Sequence, residues 1–380
     1  MATNASIYLD YNATAPARPE VVAAMVETMA MGAINPSSVH TAGREALKRI
    51  EWARGQVAAL AGAEPDQVVF TGGGTEADNM VIGGCARPRI LVSAVEHSAV
   101  LRAALTKATD CDVIAVSADG VVDLGALQEM LRSDDTPTLV SVMAANNETG
   151  ALQPIAEVAR IAHLHGALVH TDAVQAAGKI TVEFKNWDVD YLCLSAHKIG
   201  GPQGVGAVIF RDATLLRPLI LGGGQEHGLR AGTENVAGIV GFGVAAEIAA
   251  AKQAREADRL ANMRDRMEAA LRAEVPQVTI LSEGAKRLAN TSCLTMPGVR
   301  NDTQVMAFDL AGLAVSAGSA CSAGKVEPSH VLEAMGVAED DAITAVRISL
   351  GDGTEDTHID TFTTAWLDLW KRKGNSRSAA

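Results

Sequence analysis

The chain has 380 residues, of which 48% are hydrophobic and 20% charged, and its formal net charge is −13. It exceeds the roughly 250–300 residues at which a single hydrophobic core stops growing, so we expect two domains. The negative charge argues against non-specific binding to nucleic acid, and the five scattered cysteines, with no CxxC pair, support neither a zinc site nor a disulfide framework.

No apolar run predicts a membrane span. The longest, VAGIVGFGVAAEIAAA, is interrupted by small residues and ends in charge. The N-terminus, MATNASIYLDYN, lacks the basic and apolar regions of a secretory signal. Unpaired cysteines suit a reducing compartment, so we expect a cytoplasmic protein without a membrane partner.

The first 15 residues contain one short predicted strand, IYLD, followed by YNATAP. A loop and a helix are predicted within residues 35–50, where Ala46, Leu47 and Ile50 have helical apolar spacing. The segment VVFTGGGTEADNM then predicts a strand, a glycine turn and a helix that begins near Gly74 and Thr75. A helix N-terminus has free N–H groups that bind phosphate, although any glycine-rich turn of this kind looks similar.

Two further predicted strands end in polar residues. RILVSAVEHSAVLRAAL predicts a strand, a loop and a helix, with His97 in the loop, where a lone histidine is ordinarily solvent-facing or capping. TLVSVMAANNETGALQPI predicts a strand that ends near Asn147. We do not expect His163, His165 and His170 to bind a metal, because positions i and i+2 do not share a helical face.

The next two predicted strands end in a carboxylate and an amine. Ala167 to His170 predicts a strand that ends at Asp172, and YLCL predicts a buried strand ahead of Lys198. Asp172 is suited to pairing with the ring nitrogen of pyridoxal phosphate, or it is a helix N-cap. Lys198 is suited to forming a Schiff base with an aldehyde cofactor, or it is a surface lysine in a Gly/Pro turn. The two together favour the cofactor site, with Ser195 and His197 near the phosphate.

Four motifs together resemble the NifS/IscS type of cysteine desulfurase, in the class V aminotransferase group: HTDAVQAAGK, SAHKIGGPQGVGAVIF, RAGTEN and SAGSACSAG. The resemblance runs from YLDYNATAP to VRISLG and covers nearly the whole chain. It implies the α/β fold type I architecture of pyridoxal-phosphate enzymes. A large cofactor-binding domain (residues 16–255) would contain a mixed, mostly parallel seven-stranded sheet flanked by helices, and residues 1–15 and 256–380 would form a smaller α+β domain.

The resemblance also implies the cofactor, pyridoxal 5′-phosphate, and the residues around it. Lys198 would hold it covalently and remove the substrate proton, and His97 would stack on its ring and shuttle protons. Gln175 would bond its 3-oxygen, and Thr233 would reach the phosphate of the neighbouring subunit's cofactor in a homodimer. The implied cofactor-binding set is Gly74, Thr75, His97, Asn147, Asp172, Gln175, Ser195, His197, Lys198 and Thr233.

For the substrate, L-cysteine, the resemblance implies contacts from Asn35, Asn147 and Arg347. Asn35 is otherwise a turn asparagine, and the planar fork of Arg347 fits an α-carboxylate. Cys321, in a segment rich in serine, glycine and alanine, would take the sulfur as a persulfide and pass it to an acceptor protein, for iron–sulfur cluster assembly or related sulfur trafficking. A buried, inert role suits Cys193 better than Cys321.

Several alternatives stay open. Selenocysteine lyase is the nearest, and another class V enzyme such as a plain aminotransferase has no use for Cys321. A silent scaffold for sulfur-transfer partners would not need the catalytic set. GFGVAA (241–246) fits a dinucleotide fingerprint but follows a predicted helix, and GSACSAGKV (318–326) is a near miss for a nucleotide-binding loop, which leaves a nicotinamide-dependent dehydrogenase or nucleotide-binding module as remote alternatives. Asp352 stands where many relatives carry a basic residue, which would alter acceptor docking.

Overall fold

The computed structural model describes residues 6–107, 110–317 and 329–373. Within these residues the helices are α1 (Pro19–Ala30), α2 (Thr41–Ala61), α3 (Gly74–Gly84), α4 (Ser98–Lys107), α5 (Leu124–Ser133), α6 (Ile155–Leu164), α7 (Phe184–Trp187), α8 (Val236–Glu274), α9 (Asn301–Leu310), α10 (His330–Ala334), α11 (Glu339–Ala342) and α12 (Asp356–Lys373). The strands are β1 (Ile7–Tyr8), β2 (Val68–Thr71), β3 (Arg89–Ser93), β4 (Asp110–Ile114), β5 (Thr138–Ser141), β6 (Leu168–Asp172), β7 (Tyr191–Ser195), β8 (Gly206–Phe210), β9 (Thr291–Thr295), β10 (Leu313–Ala314) and β11 (Ala345–Ser349).

The main sheet has seven strands in the order β2-β8-β7-β6-β5-β3-β4. The pairs β2–β8 and β7–β8 are antiparallel and the other four are parallel, which confirms the predicted mixed, mostly parallel sheet. Every residue of β2, β3, β5, β7 and β8 is buried, because helices cover both faces of the sheet. The carboxyl ends of β5, β6 and β7 therefore meet at one edge, which is where such sheets bind ligands.

Two large hydrophobic clusters divide the apolar interior along α8. The first contains residues of the main sheet, α1, α2 and the start of α8 up to Ala249, and the second begins at Leu260 and includes β9, β11 and α12. The sequence from Val236 to about Glu274 predicts one or two helices, and the structure has a single 39-residue helix. The proposed domain boundary at residue 255 lies inside this helix, between the two clusters.

By length and composition alone α8 is apolar enough to cross a membrane. Its apolar first half packs against α1 and α2, and residues from Val236 to Ala249 are buried in the first cluster. Packing inside the protein therefore accounts for the apolar composition of α8.

The N-terminal segment joins the C-terminal part of the chain. β1 pairs in parallel with β10, and β9 pairs with β11 in the antiparallel sense. The sequence QVTIL (277–281) also predicts a strand, and this prediction is wrong. The structure has only an isolated bridge from Ile280 to Leu294 there, flanked by hydrogen bonds of Thr279 and Leu281 to β9. In α2, Ala46 and Ile50 are buried as predicted, whereas Leu47 lies on the outer face and is 44% exposed.

Candidate active site

A cavity of about 460 Å³ lies at the carboxyl edge of the main sheet. Residues from the ends of β5, β6 and β7 meet there with the start of α3, the N-terminal segment and β11. Ten of the predicted site residues line it: Gly74, Thr75, His97, Asn147, Asp172, Gln175, Ser195, His197, Lys198 and Arg347. The structure thus brings together predicted site residues that are up to 273 positions apart in sequence (Gly74 to Arg347).

Lys198 lies in a short 3₁₀ turn, Ala196–Ile199, directly after β7. Gly200 has φ of +82° and ends this turn, and a left-handed conformation of this kind favours glycine. The Lys198 amine donates to the backbone carbonyls of Asn12 at 2.6 Å and Ala13 at 2.8 Å. Burial and the nearby Arg347 guanidinium lower the pKa of Lys198 from 10.5 to about 8. The amine is therefore held in place and loses its proton readily.

Asp172 ends β6, and its carboxylate is 7% exposed. Oδ1 accepts a hydrogen bond from the N–H of Val174 at 2.8 Å. Burial and the neighbouring Asp78 carboxyl raise the pKa of Asp172 to about 7, and burial raises that of Asp78 to a similar value. Asp172 is therefore poised to ionise when a cationic group, such as a protonated ring nitrogen, enters the cavity.

The start of α3 forms a cradle for an anion. Gly73 precedes the helix with φ of +148°, and a Cβ on Gly74 would lie 3.1 Å from Val174 Cγ2 and 3.3 Å from Ser195 Cβ. The free N–H groups of this helix N-terminus face the cavity together with the Thr75 and Ser195 hydroxyls. His197 Nδ1 lies 3.1 Å from Thr14 Oγ1, and burial lowers the pKa of His197 to about 4, so this imidazole is neutral.

The exposed side chain of His97 lies at the opening of the cavity, just before α4. Its Nδ1 accepts from the N–H of Ala99 at 3.1 Å, so the neutral ring carries its proton on Nε2. The protein groups around the ring reduce its hydration although its outer edge is exposed, and this desolvation lowers the pKa of His97. The charges of Lys198 and His330 lower it further, whereas that of Asp172 raises it. The ring is therefore neutral and can accept a proton at neutral pH.

Arg347, in β11, brings a buried guanidinium to the cavity. Nη2 donates to Asp10 Oδ1 at 2.6 Å and Nη1 to the backbone carbonyl of Asn147 at 2.9 Å. Its Nε is buried and makes no hydrogen bond within the described residues. A buried guanidinium with an unused donor is suited to an incoming carboxylate.

Gln175 lies on the turn that follows β6 and is 5% exposed. Its Nε2 donates to the backbone carbonyl of Asn12 at 2.9 Å, and its Oε1 accepts from Lys179 Nζ at 2.6 Å. Lys179 Nζ also donates to Asn12 Oδ1 at 2.9 Å. Asn12 is 1% exposed, so Gln175, Lys179 and Asn12 form a closely bonded group beside Lys198.

Two of the predicted site residues that the structure describes, Asn35 and Thr233, are not among those that line this cavity. Asn35 is exposed, and its Oδ1 accepts from the N–H of Ser37 at 2.9 Å, as a turn asparagine does. Thr233 is exposed beside a separate depression that Arg230 also lines, and Arg230 pairs with Glu76 in the first turn of α3 at 2.9 Å. Cys321 falls outside the described residues.

His170 and Cys193 belong to a buried network behind the cavity. His170 Nδ1 lies 2.8 Å from Ser141 Oγ, and its Nε2 lies 3.3 Å from Cys193 Sγ and 3.5 Å from Asp78 Oδ1. His163 is instead tied to Asp188 and Asp190 on the surface side of the sheet. The three histidines weighed as metal ligands are therefore not brought together, and Asp78, His170 and Cys193 are a separate group within 4.8 Å.

Sequence reasoning missed Asp10, Asn12, Asp78 and Lys179 as members of the site. Asp10 and Asn12 belong to the motif YLDYNATAP and Lys179 to HTDAVQAAGK, so the motifs used for the resemblance already contained three of the four.

Asp352 pairs with Arg18 on the far side of Lys198, beside a smaller cavity of about 80 Å³.

The expected cofactor can be tested against these features. A phosphorylated pyridine aldehyde needs an amine of lowered pKa, a carboxylate that can ionise toward its ring nitrogen and a cradle for its phosphate. Lys198, Asp172 and the Gly74–Thr75 helix start provide them around one cavity. The residues present therefore fit pyridoxal 5′-phosphate.

Comparisons with known proteins agree with this fit. The family profile described as aminotransferase class-V matches residues 7–362. A cysteine desulfurase of Cereibacter sphaeroides is 43% identical over 364 residues, covering 93% of each chain, and the cysteine desulfurase IscS of Dictyoglomus turgidum is 42% identical, covering 91% of this chain and 89% of its own. The X-ray structure of a NifS-like protein from Rickettsia africae superposes with a TM-score of 0.89 at 35% identity, covering 96% of this chain and 99% of that one.

Proposed function

Given that the chain belongs to the class-V aminotransferase family, whose cofactor is pyridoxal 5′-phosphate, we propose that it is a cysteine desulfurase. It converts L-cysteine to L-alanine, and the sulfur is transferred to Cys321 as a persulfide. The observation that carries the proposal is the convergence of Lys198, Asp172 and Arg347 on one cavity beside a helix N-terminus. Relatives named as cysteine desulfurases, at about 40% identity over nearly the full chain, support the choice of reaction.

Pyridoxal 5′-phosphate, when bound, supplies a ring that withdraws electrons from the substrate carbon and so makes its Cα–H and C–S bonds easier to break. Gly74, Thr75, Ser195 and His197 would hold its phosphate. Asp172 would hold the ring nitrogen in its protonated form. Gln175 would donate a hydrogen bond to the 3-oxygen, and His97 would cover the exposed face of the cavity.

The substrate is positioned by its carboxylate. Arg347 has an unused buried donor at Nε, and Asn147 lies beside it on the cavity wall. A guanidinium fork binds a carboxylate through two parallel hydrogen bonds and so fixes its orientation as well as its position. This contact presents the Cα proton of L-cysteine to Lys198.

Lys198 acts as the base that removes this proton at its Nζ. Its lowered pKa, about 8, means that a useful fraction of the amine is neutral near physiological pH. The backbone carbonyls of Asn12 and Ala13 orient the amine by accepting a hydrogen bond each from it. His97, whose ring is neutral in the free site, would first take up a proton and then return it as alanine forms.

Cys321 takes the sulfur. Its thiolate forms a bond to the substrate sulfur, the C–S bond breaks with its electron pair retained on carbon, and that carbon gains a proton to give L-alanine. L-cysteine and the Cys321 thiol thus become L-alanine and a Cys321 persulfide, with atoms and electrons balanced.

The described ends of the segment that carries Cys321 support this assignment. Ser316 bonds to Arg347 through both backbone groups, at 2.7 and 3.2 Å, and Ser329 donates to the buried Glu148 at 2.6 Å. Cys321 is five residues from Ser316, so the chain can carry it at most about 18 Å from a residue that lines the cavity.

We further propose a homodimer in the cytoplasm that passes the persulfide sulfur to an acceptor protein of iron–sulfur cluster assembly or related sulfur trafficking. Thr233 is exposed and away from the cavity of its own chain, which supports a role at the neighbouring subunit's cofactor. Relatives that carry the name IscS favour the assembly role. Selenocysteine lyase remains the second candidate, and Cys321 separates the two.

The proposal is tested by measuring alanine and sulfide release from L-cysteine, with the visible spectrum recorded, for the wild type, Cys321→Ala and the control Cys111→Ala. Cys111 is a partly buried thiol on β4, away from the cavity. We expect Cys111→Ala to retain full activity, and Cys321→Ala to bind cofactor and substrate with normal spectral changes but to form no persulfide. Full turnover by Cys321→Ala would favour the lyase, and a wild type that binds no pyridoxal phosphate would overturn the whole proposal.

A further inference from the structure

Lys179 carries a partly buried amine beside the site and has no role in the proposed reaction. It follows Gly178, which has φ of +71° and approaches α8 so closely that a Cβ would lie 3.0 Å from both Ala249 Cβ and Ile199 Cγ2. This close packing fixes the turn and directs Lys179 toward the group formed with Gln175 and Asn12. Burial, with Lys198 and Arg347 nearby, lowers the pKa of Lys179 well below its usual value.

The hydrogen bonds around Gln175 leave its amide only one orientation. A backbone carbonyl accepts and never donates, so the Gln175 atom 2.9 Å from Asn12 O is Nε2. The other amide atom, Oε1, faces Lys179 Nζ at 2.6 Å. Whether charged or neutral, that amine has N–H groups to donate to Oε1. The two contacts therefore demand the same orientation.

This orientation decides what Gln175 can offer to the cavity. Oε1 accepts from Lys179, and Nε2 has one N–H on Asn12 O and a second N–H without a partner among the described residues. We infer that Lys179 is a positioning residue that makes Gln175 a hydrogen-bond donor toward an anionic oxygen of the ligand in this cavity. The inference rests on the proposed function, in which that oxygen is the 3-oxygen of pyridoxal phosphate.

The same amine connects Gln175 to Lys198 through Asn12. Lys179 Nζ and Asn290 Nδ2 both donate to Asn12 Oδ1, at 2.9 and 3.1 Å. With Oδ1 so fixed, Asn12 Nδ2 donates to Asn147 O at 3.2 Å and Thr291 Oγ1 at 2.9 Å.

The backbone carbonyl of Asn12 in turn accepts from both Gln175 and Lys198. The polar side-chain atoms and the carbonyl of Asn12 thus all have hydrogen-bond partners. Asn12 alone contacts Lys179, Lys198 and Gln175 and fixes their positions relative to one another. Loss of Lys179 removes one of the two hydrogen bonds that orient Gln175 and one of the four made by the Asn12 side chain.

A double-mutant cycle on cofactor affinity tests the inference. The dissociation constant of pyridoxal 5′-phosphate is measured by equilibrium dialysis for the wild-type apoprotein, Lys179→Met, Gln175→Leu and the double variant. We expect Lys179→Met to weaken binding about tenfold, the effect of losing about one hydrogen bond, and to change binding less than about twofold in the Gln175→Leu background. Equal effects in both backgrounds, or none in either, would overturn the inference.

Two further proteins keep the test decisive. Lys252→Met alters an exposed lysine on α8 and should bind the cofactor as the wild type does. Gln175→Glu keeps an acceptor toward Lys179 but lacks the N–H, so it should weaken binding at least as much as Gln175→Leu; wild-type affinity in this variant contradicts the donor role even if Lys179→Met does not fold. A wild type that fails to bind the cofactor overturns the proposed function itself, whereas normal wild-type binding without coupling overturns only the role of Lys179.

Discussion

Arg347 and Asp10 form an ion pair across the cavity wall, with Nη2 of the arginine 2.6 Å from Oδ1 of the aspartate. The arginine side chain is 5% exposed and the aspartate side chain 19%. A substrate carboxylate that binds Arg347 must therefore share a cation that already has a carboxylate partner. If Arg347 binds the substrate as proposed, Asp10 should moderate its affinity.

Replacing Asp10 by Asn should tighten substrate binding. The amide oxygen can still accept from Arg347, but the negative charge that competes with the substrate is gone. We expect the KM for L-cysteine to fall about fivefold, equivalent to about 1 kcal/mol, the scale of a partly exposed ion pair. Steady-state kinetics would check this, with Arg347→Met as the opposite case, in which KM rises. An increase in KM for Asp10→Asn would mean that Asp10 orients the arginine more than it competes for it.

The lowered pKa of Lys198 predicts how cofactor loading depends on pH. Only a neutral amine attacks the cofactor aldehyde, and with a pKa of about 8 about one amine in ten is neutral at pH 7, against about one in 3,000 at 10.5. The rate at which apoprotein incorporates pyridoxal phosphate, followed by visible absorbance in a stopped-flow instrument, should rise with pH and level off above about 8. A rate that keeps rising to pH 10 would show an unperturbed lysine.

Asp172 predicts a pH-dependent stability of the apoprotein. Its folded-state pKa, about 7, is raised from 3.8, so the folded state holds this proton more tightly than the unfolded chain. The contribution is fully present below the unfolded pKa and is lost as pH rises through about 7. Asp172→Asn does not titrate, so the Tm of the variant minus that of the wild type should increase between pH 5 and 8.

Calorimetry on both apoproteins at equal ionic strength would measure this difference, which cancels the common contributions of the histidines. With the cofactor bound the sign should reverse, because the ionised carboxylate then has a cationic partner. A Tm difference that stays constant with pH would show that Asp172 is already ionised in the apoprotein.

Thr233 can be assigned to one subunit or the other by complementation. If its hydroxyl serves the partner's cofactor, a heterodimer of a Lys198→Ala chain and a Thr233→Val chain has one intact site. A heterodimer of the wild type with a chain that carries both substitutions then has none. We expect the first heterodimer to show about half of wild-type activity and the second much less. The reverse order would place Thr233 in the site of its own chain.

The strand-end residues were predictable from sequence because local pattern determines them. Asp172 and Lys198 each follow an apolar run, and the carboxyl ends of neighbouring parallel strands meet at one edge of a sheet. The glycines ahead of α3 likewise predict the turn between β2 and α3. The strand ends follow from short windows of sequence, whereas the arrangement of the sheet was implied by the family resemblance.

The contacts that hold these residues depend on the tertiary structure and were not predictable from local pattern. Asn12 bonds to Lys198 across 186 positions, and Asp10 to Arg347 across 337. No window of sequence contains both partners. The segment QVTIL contacts β9 through Thr279, Ile280 and Leu281, but these contacts amount to one isolated bridge and not a regular strand.

The pairing of the two ends of the chain has a consequence for biosynthesis. Asn12 N donates to Ser349 Oγ, and β1 lies beside β10, so Asn12 is held by a residue that is made 337 positions later. Translation at about 5–20 residues per second leaves the N-terminal segment without these partners for on the order of 20–70 s. Until Ser349 is made, the segment that carries the two carbonyl acceptors of Lys198 lacks this anchor. We therefore expect a chain truncated before Ser349 to bind pyridoxal phosphate more weakly than the full chain, even where its main sheet is folded.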